Sequence, residues 1–522
     1  MNTLIQNCTV IDGSGAPAFR GSVALERGKL CVYPGDPPPA LPVEELIDGT
    51  GLTVTPGCID AHSHGDLTLC GRYAAMSKLS QGITTQVAGQ CGVSMFPAAA
   101  AGRDLFERFV SGIAPYPELP GDIGCCASAG AFIDWMRARG NPVQTYTFAG
   151  HGALRLWAMG YANRRPDATE LQRMQNMLRR CIREGALGLS TGLVYAPCCY
   201  ADNDEILSLL RVVAEEGGVY ATHPRNEADT VVEARREALR LAKEARVPLC
   251  VSHLKAAGRA NWGKPAQMLA DIDRAADGGQ RILIDCYPYM AGNTSLNVSI
   301  PPRYFANGLD GLLDALHAPA ERAMIREEMS RPSNYDNYIY NSGGFSGVYV
   351  SSCPAAHDAE GMFITDYAER IGKDPFDAYC DILIQNGGLG LGIYFHMSEA
   401  DVAEILRHPL CVVGTDGLVG LPAENPHPRS FGTMARAYAM MVREKAFATP
   451  ELAIHKMTGK TAGWLGLPGK GFVRNGFDAD ILLLDLDAFA DTATYANGNG
   501  LCSGIERVYS AGRLVYKKGD AI

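Results

Sequence analysis

Residues 52–64 read LTVTPGCIDAHSH, an apolar run that ends in two histidines one residue apart. The run predicts a buried strand, in which side chains alternate between the two faces with a period of two. His62 and His64 would therefore point the same way, as two imidazoles can when they bind one metal ion. A metal at the end of a strand is typical of hydrolytic or Lewis-acid chemistry.

The composition of the chain favours a globular protein that acts on a small molecule. A length of 522 residues fits one large α/β domain and a smaller second domain. The net charge is −10 and no stretch is rich in Lys and Arg, which argues against nucleic acid or a membrane surface as the partner. The sequence does not indicate an oligomeric state.

Targeting signals and disulfide patterns are not evident. The opening MNTLIQ lacks the basic and apolar regions of a signal peptide, and no apolar stretch approaches the roughly 18 residues that span a bilayer. The 16 cysteines are scattered without the spacing of a disulfide framework, so most are expected to be reduced core residues. These features predict a cytoplasmic location.

Short strands with glycine turns occupy both ends of the chain. Residues 9–11 precede an Asp-Gly turn, residues 479–485 form an apolar strand, and residues 505–515 read as a hairpin about an Ala-Gly turn. We therefore expect a small β-sandwich that both termini build, from residues 1–52 and 467–522.

The middle of the chain, residues 53–466, alternates between predicted strands and helices. The eight strands are expected to end near His62, Cys91, His151, Thr191, His223, His253, Tyr287 and Asp416. Eight such units predict a TIM-like (β/α)8 barrel, with its active site at the C-terminal ends of the strands. Residues 290–391 are too many for one β/α loop, and we interpret them as an insertion that could act as a lid.

The candidate metal ligands recur at intervals of about one β/α unit. Cys91 follows His62 by 29 residues (91 − 62), and His253 follows His223 by 30 (253 − 223). A barrel would gather these side chains, with His64 and Asp416, around one pocket. Histidines with a thiolate suit Zn²⁺, with one position open for water, and Asp416 could carry the proton from that water to the leaving group.

The remaining histidines carry weaker predictions. His151 also lies at a predicted strand end, where a supporting role and a structural role are equally open. His427 is beside Arg429, and a structural role is favoured over a direct one. Five others are expected to be structural or exposed: His317, His357, His396, His408 and His455.

Several motifs together resemble those of one enzyme family. They are TPGCIDAHSH (55–64), GQCGVS (89–94), STGLVY (190–195), THPRNE (222–227), SHLK (252–255), YPY (287–289), GTDG (414–417) and HPRSFG (427–432). In this order they resemble the N-acyl-D-amino-acid deacylases, or D-aminoacylases, of the amidohydrolase superfamily. The likeness extends from about residue 3 to 518 and implies a barrel, a β-sandwich from both termini, and an insertion before the last barrel strand.

The resemblance also implies roles for the candidate ligands. One tightly bound zinc ion would be held by Cys91, His223 and His253. A second, weaker metal position would be lined by the HxH pair and Asp416, the general base and acid. Residues 185–195 contain no lysine. This fits the deacylases and disfavours hydantoinase-like relatives, in which a carbamylated lysine bridges two metals.

The substrate of such an enzyme carries a free α-carboxylate, which needs fixed donors. By position, Lys255, Tyr287 and Arg429 resemble the carboxylate-binding residues of the family, and Tyr195 could stabilise the oxyanion. Arg303 could bind an acidic side chain, but a neutral or hydrophobic side chain is equally open. The D-stereochemistry follows from the resemblance alone.

Three functions are compatible with these residues. The first is a zinc-dependent hydrolase that cleaves N-acyl-D-amino acids into a carboxylic acid and a D-amino acid. The second is an amidohydrolase that acts on another C–N bond, in a cyclic amide, a D-dipeptide or an exocyclic amine. The third is a barrel that serves only as a scaffold, which would tolerate loss of the ligands or of Asp416, and none of these is missing.

Overall fold

The computed structural model describes residues 3–35, 43–68, 71–98, 102–114, 119–419 and 425–521. The strands are β1 Thr3–Val10, β2 Phe19–Glu26, β3 Lys29–Pro34, β4 Glu45–Asp48, β5 Thr53–Pro56, β6 Cys58–Asp60, β7 Ile83–Ala88, β8 Gln144–Thr147, β9 Ala149–Gly150, β10 Gly188–Gly192, β11 Val219–His223, β12 Leu249–Val251, β13 Ile282–Cys286, β14 Ala291–Ser295, β15 Val348–Ser352, β16 Leu391–Phe395, β17 Cys411–Val413, β18 Ile481–Leu484, β19 Ile505–Ser510, β20 Arg513–Lys517 and β21 Asp520–Ala521.

In the part of the chain that the structure describes, α-helices alternate with the central strands, and several more lie in the insertion. They are α1 Arg72–Leu79, α2 Arg103–Ser111, α3 Ala129–Ala138, α4 His151–Met159, α5 Ala168–Arg183, α6 Asn203–Glu215, α7 Val231–Ala245, α8 Lys264–Asp277, α9 Gly308–His317, α10 Pro319–Met329, α11 Tyr338–Asn341, α12 Ile364–Ile371, α13 Pro375–Gln385, α14 Glu399–Arg407, α15 Arg429–Tyr438, α16 Pro450–Met457 and α17 Gly459–Leu465. No helix among them is both long and apolar enough to span a bilayer.

Strands from both ends of the chain form one sheet of nine. Its order is β21-β20-β19-β18-β5-β1-β2-β3, with β4 beside β1. Strand β5 pairs with β1 on one side and with β18 on the other, so it joins the two ends of the chain. Apolar side chains from both ends pack into one cluster, including Ile5, Val23, Val54, Ile481 and Leu483.

The apolar run at residues 52–64 contributes one strand to each of two sheets, instead of a single strand to one sheet. Strand β5 belongs to the terminal sheet, whereas β6 is the first strand of the barrel. The chain crosses between them at Gly57, where a Cβ would lie 2.1 Å from Thr84 Oγ1. Only glycine fits a crossing this close to a neighbouring side chain.

Eight parallel strand positions make the barrel that the alternation predicts. Sheet β6-β7-β8 and sheet β9-β10-β11-β12-β13-β17 supply them, with the third position divided between β8 and β9. The barrel closes between its first and last strands, where Ser63 pairs with Gly417 and the Ala61 N–H donates to the Val413 carbonyl at 3.3 Å. Most barrel-strand residues are buried, as expected for parallel strands that helices cover. The predicted fold class is confirmed.

The insertion before the last barrel strand is a folded unit with its own core. It contains the antiparallel sheet β14-β16-β15 and helices α9–α13. Its apolar cluster is separate from that of the barrel and includes Leu296, Ile325, Val350, Ile364 and Leu383. A segment with its own core can hold side chains rigidly against the end of the barrel, which a loose loop could not do.

Candidate metal centre and active site

Three predicted site residues, which follow the ends of their strands, have a left-handed backbone conformation. The φ angles are 53° at Cys91, 31° at His253 and 48° at Asp416. Residues other than glycine adopt this conformation at an energetic cost, and such residues cluster at functional sites. Here each of these residues follows within three residues of a strand end, and the three side chains converge on one another.

The six predicted metal-site residues lie together, and all are buried. Cys91 Sγ is 3.4 Å from His62 Nε2 and 3.3 Å from His253 Nε2, which is 3.0 Å from His223 Nδ1. Asp416 Oδ1 is 3.2 Å from His64 Nε2. Ligand atoms lie within 4.8 Å of one another in two groups, His62–Cys91–His253–Asp416 and His223–Glu227–His253. A cluster of thiol, imidazole and carboxylate donors fits a borderline-soft ion such as Zn²⁺.

The protonation states in the cluster suit metal binding. Burial by itself raises the pKa of the Cys91 thiol, but the neighbouring His62 and His253 outweigh burial and hold this pKa well below its usual value. Burial likewise raises the pKa of Asp416, and Arg429 with His253 outweighs it, so the pKa is well below that of an ordinary aspartate. These shifts favour the thiolate form of Cys91 and the ionised form of Asp416.

Two carboxylates contact the ring nitrogens of His62 and His253 that do not face Cys91, and so orient these rings. Asp285 Oδ1 lies 3.2 Å from His62 Nδ1 and accepts the backbone N–H of His253 at 2.8 Å. Glu227 Oε1 lies 3.1 Å from His253 Nδ1, which leaves Nε2 of that ring facing Cys91. Sequence reasoning missed both carboxylates. Glu227 lies four residues after His223 within the THPRNE motif, a signal that could have found it, whereas Asp285 lies inside a buried strand and gave none.

A buried ion pair holds the first and last barrel strands together beside the cluster. Asp60 Oδ2 accepts hydrogen bonds from Lys78 Nζ and Thr415 Oγ1, both at 2.7 Å, and Oδ1 accepts the Thr415 N–H at 2.7 Å. Asp60 and Lys78 are 0% and 4% exposed. The pair therefore fixes the strand ends that carry the HxH motif and Asp416.

Replacing Lys78 by methionine is expected to lower the free energy of unfolding by about 3–5 kcal/mol, because the buried Asp60 carboxylate loses its counter-charge. Lys29→Met is the matched control. The Lys29 side chain is 55% exposed, and its pair with Asp478 contributes at most about 1 kcal/mol. Chemical denaturation of both variants measures the difference, and equal losses would contradict the structural role of Lys78.

The four predicted substrate-binding residues line the same cavity as the metal cluster. Arg429 Nη1 is 3.0 Å from Asp416 Oδ2, and the guanidinium carbon lies 4.8 Å from the centre of the Tyr287 ring. Lys255 Nζ lies 5.7 Å from that ring centre and 2.8 Å from Glu227 Oε1. The Tyr195 hydroxyl is 2.9 Å from Thr294 Oγ1. Two cations and two phenols thus face the space beside the candidate ligands.

Three of the remaining candidates have structural roles. The Arg303 side chain is 49% exposed and forms a salt bridge with Glu328 on the surface, so the possibility that it binds an acidic side chain gains no support. His151 Nε2 lies 2.8 Å from Glu205 Oε1, within a buried ion-pair network. His427 Nδ1 accepts the backbone N–H of Arg429 at 3.0 Å, so it orients the start of helix α15.

His396, which the sequence suggested to be structural or exposed, lies at the site. It is 2% exposed, follows strand β16 of the insertion, and lines the cavity of the metal cluster. Tyr338, from helix α11 of the insertion, also reaches this cavity, and its hydroxyl lies 3.1 Å from Glu227 Oε2. The insertion thus contributes directly to the site. Its side chains could not be placed from sequence, because their position depends on how the insertion folds.

A second, mostly apolar cavity adjoins the first. Tyr195 and Ile113 line both cavities. The walls of the second include Val93, Phe109, Val194, Val298, Ile300, Phe305 and Leu309. The one cation among its described lining residues, Arg108, forms two hydrogen bonds to Asp310, at 2.6 and 3.0 Å. The second cavity is therefore suited to an apolar group.

The fold and the site together define a class of protein. The C-terminal end of a (β/α)8 barrel carries buried sulfur, nitrogen and oxygen donors with an ionised carboxylate beside them. Two cations line the same cavity. Donors of this kind bind a Lewis-acidic ion, and the carboxylate can exchange a proton with water. This is the site of a metal-dependent hydrolase.

Comparison with known proteins identifies the family. No family model matches the chain. It is 34% identical to the N-acyl-D-aspartate deacylase of Alcaligenes xylosoxydans xylosoxydans over 98% of this chain and 91% of that protein, and 31% identical to the D-aminoacylase of the same organism over 99% and 94%. A solved structure of N-acyl-D-glutamate deacylase from Bordetella bronchiseptica, with zinc and a phosphonate mimic of the tetrahedral intermediate, is 31% identical and covers 98% of this chain and 96% of that one, at a TM-score of 0.82. The chain belongs to the family of N-acyl-D-amino-acid deacylases, metal-dependent amidohydrolases that act on linear amides.

Proposed function

We propose that the protein hydrolyses N-acyl-D-amino acids with a neutral, apolar side chain, with one tightly bound zinc ion and Asp416 as the general base and acid. The observation that carries this proposal is the buried cluster in which Cys91, His223 and His253 face one another beside Asp416. His62 and His64 would line a second, weaker metal position with Asp416.

Each residue of the site has a part in the proposed reaction. Cys91, His223 and His253 would hold the zinc ion, which supplies Lewis acidity and lowers the pKa of water. Asp416 accepts a proton from the attacking water and delivers it to the nitrogen of the leaving amino acid. Its low pKa, which Arg429 and the histidines maintain against burial, keeps it ionised, the form that can accept a proton.

The cations and phenols of the cavity would bind the substrate. Lys255 and Arg429, which both lie near the Tyr287 ring, would pair with the α-carboxylate. The Tyr195 hydroxyl, on the wall that the two cavities share, would donate to the oxygen that becomes negative as water attacks. The substrate would then lie with its amide at the metal cluster and its carboxylate toward the insertion.

The apolar cavity supports a neutral side chain. Three cations line the two cavities among the described residues: Lys255 and Arg429, which are assigned to the α-carboxylate, and Arg108, which is paired with Asp310. An acidic side chain in the apolar cavity would have to compete with Asp310 for Arg108, and burial of an unpaired charge is costly. The proposed substrate thus differs from those named for the N-acyl-D-aspartate and N-acyl-D-glutamate deacylases that the chain resembles.

A panel of N-acetyl amino acids tests the proposal. With zinc-loaded protein, we expect kcat/KM for N-acetyl-D-leucine to exceed that for N-acetyl-D-glutamate by about two orders of magnitude, because one buried charge lacks a partner. The L-isomers should react far more slowly. Preferential turnover of the glutamate derivative would contradict the assignment of the apolar cavity, and no turnover of any member with zinc bound would contradict the deacylase function itself.

The location of the protein stays a prediction. The cysteines that the structure describes form no disulfide, which supports the expectation of a reducing compartment such as the cytoplasm.

A further inference from the structure

His396 is a buried imidazole with unused hydrogen-bonding capacity. It is 2% exposed, and neither ring nitrogen has a partner among the residues that the structure describes. Buried polar groups nearly always have a partner, so an exception calls for an explanation. Because His396 lines the cavity of the metal cluster, a ligand that enters this cavity is the natural partner.

The His396 ring faces the side of Gly292 on which that residue carries no side chain. A Cβ added to Gly292 would lie 3.1 Å from His396 Nε2 and 3.7 Å from the Tyr287 hydroxyl oxygen. The His396 imidazole and the Tyr287 hydroxyl therefore border the same gap, on the side of Gly292 where a side chain would otherwise project. Gly292 does not have a positive φ, so its backbone does not demand glycine, and the lack of a side chain serves to leave this space free.

The surroundings of this space include two cations that can attract an anion. The Arg429 guanidinium carbon and Lys255 Nζ lie 4.8 and 5.7 Å from the centre of the Tyr287 ring. Burial, and then the charge of Lys255, lowers the pKa of His396 to about 3, so the imidazole is neutral and keeps one N–H and one lone pair. A carboxylate that the two cations attract could then meet the His396 N–H and the Tyr287 O–H at the edges of this gap.

We propose that His396 is a specificity-determining residue, which donates a hydrogen bond, together with Tyr287, to the α-carboxylate of the substrate in the space above Gly292. This inference rests on the proposed function, because the anion is assigned as the carboxylate of an N-acyl-D-amino acid. It extends that function by adding a neutral donor from the insertion to the cations of the barrel. The insertion would then select for substrates that carry a carboxylate.

The test compares a substrate with an analogue that lacks the carboxylate. His396→Leu should raise the KM for N-acetyl-D-leucine by about 10- to 100-fold, as expected for loss of a hydrogen bond to a charged group. The inhibition constant of N-isopentylacetamide, the same molecule without the carboxylate, should stay within about two-fold of the wild-type value, because no such bond is lost. His396→Gln, which keeps a donor, should recover part of the KM.

Two further variants keep the inference falsifiable if His396→Leu does not fold. Gly292→Ala fills the space without straining the backbone and should raise the KM selectively in the same way. His357→Leu changes an exposed histidine of the same insertion and should leave both constants unchanged. If His396→Leu or Gly292→Ala shows the wild-type preference for the carboxylate, the inference is overturned while the proposed function stands. If the wild-type protein hydrolyses no N-acyl-D-amino acid, the proposed function fails and the inference with it.

Discussion

Asp416→Asn is expected to lower kcat for N-acyl-D-amino acids by about 10²- to 10⁴-fold, the usual contribution of a general base and acid. Asparagine has nearly the same shape and can still contact Arg429 and His64, but its amide cannot accept a proton. The zinc content and the KM should therefore change little. Steady-state kinetics with metal analysis of the same samples measures all three quantities.

The control for this variant is Asp358→Asn, an exposed aspartate in the insertion. It should leave kcat at the wild-type value. If Asp416→Asn keeps more than a tenth of the wild-type kcat with full zinc content, proton transfer by Asp416 is not a main part of the reaction. Loss of zinc together with activity would instead assign Asp416 to the tight metal site.

Cys91→Ala is expected to weaken binding of the tight zinc ion by more than about 100-fold, since even second-shell changes cost 10- to 100-fold. Activity should fall in proportion to the zinc that is lost. A second readout does not depend on activity. A ligand that binds only the folded state raises Tm, so added zinc should raise Tm in the metal-free wild-type protein and not in the variant.

Cys198→Ala is the matched control for the thiol. Cys198 is also buried, and its sulfur packs against the loop that follows Cys91, 2.9 Å from a Cβ placed on Gly92. This variant removes a neighbouring sulfur and should keep the zinc content of the wild type. A Cys91→Ala protein that retains one tightly bound zinc per chain would show that the histidines and Asp416 hold the ion without the thiolate.

The positions of the metal-site residues were predictable because they depend on local patterns. Each candidate ligand lies at the end of a strand, and a barrel gathers strand ends at one face. His62, Cys91 and Asp416 could therefore be grouped without knowledge of any long-range contact. The structure brings together all six residues that the sequence marked for this cluster, as well as the four marked for the substrate.

The parts that could not be predicted depend on contacts between distant elements. Lys78 reaches Asp60 from helix α1, and Asp285 supports His62 across 223 residues of sequence. The place of His396 in the cavity was missed and the role of Arg303 was left open, because nothing in the periodicity of the insertion shows which face meets the barrel. The division of residues 52–64 between two sheets was hidden for a similar reason, since β5 and β6 form one apolar run on either side of Gly57.

The sheet that joins the two ends of the chain has a consequence for synthesis on the ribosome. Pro56 of β5 pairs with Ile481 of β18, so 425 residues (481 − 56) must be translated before this contact can form. At about 5–20 residues per second, that interval is on the order of 20 to 85 s. During this time β5 presents an unpaired edge, a feature that invites association with other chains. The N-terminal part of the nascent chain is thus prone to association with other chains until residues near the C-terminus have been translated.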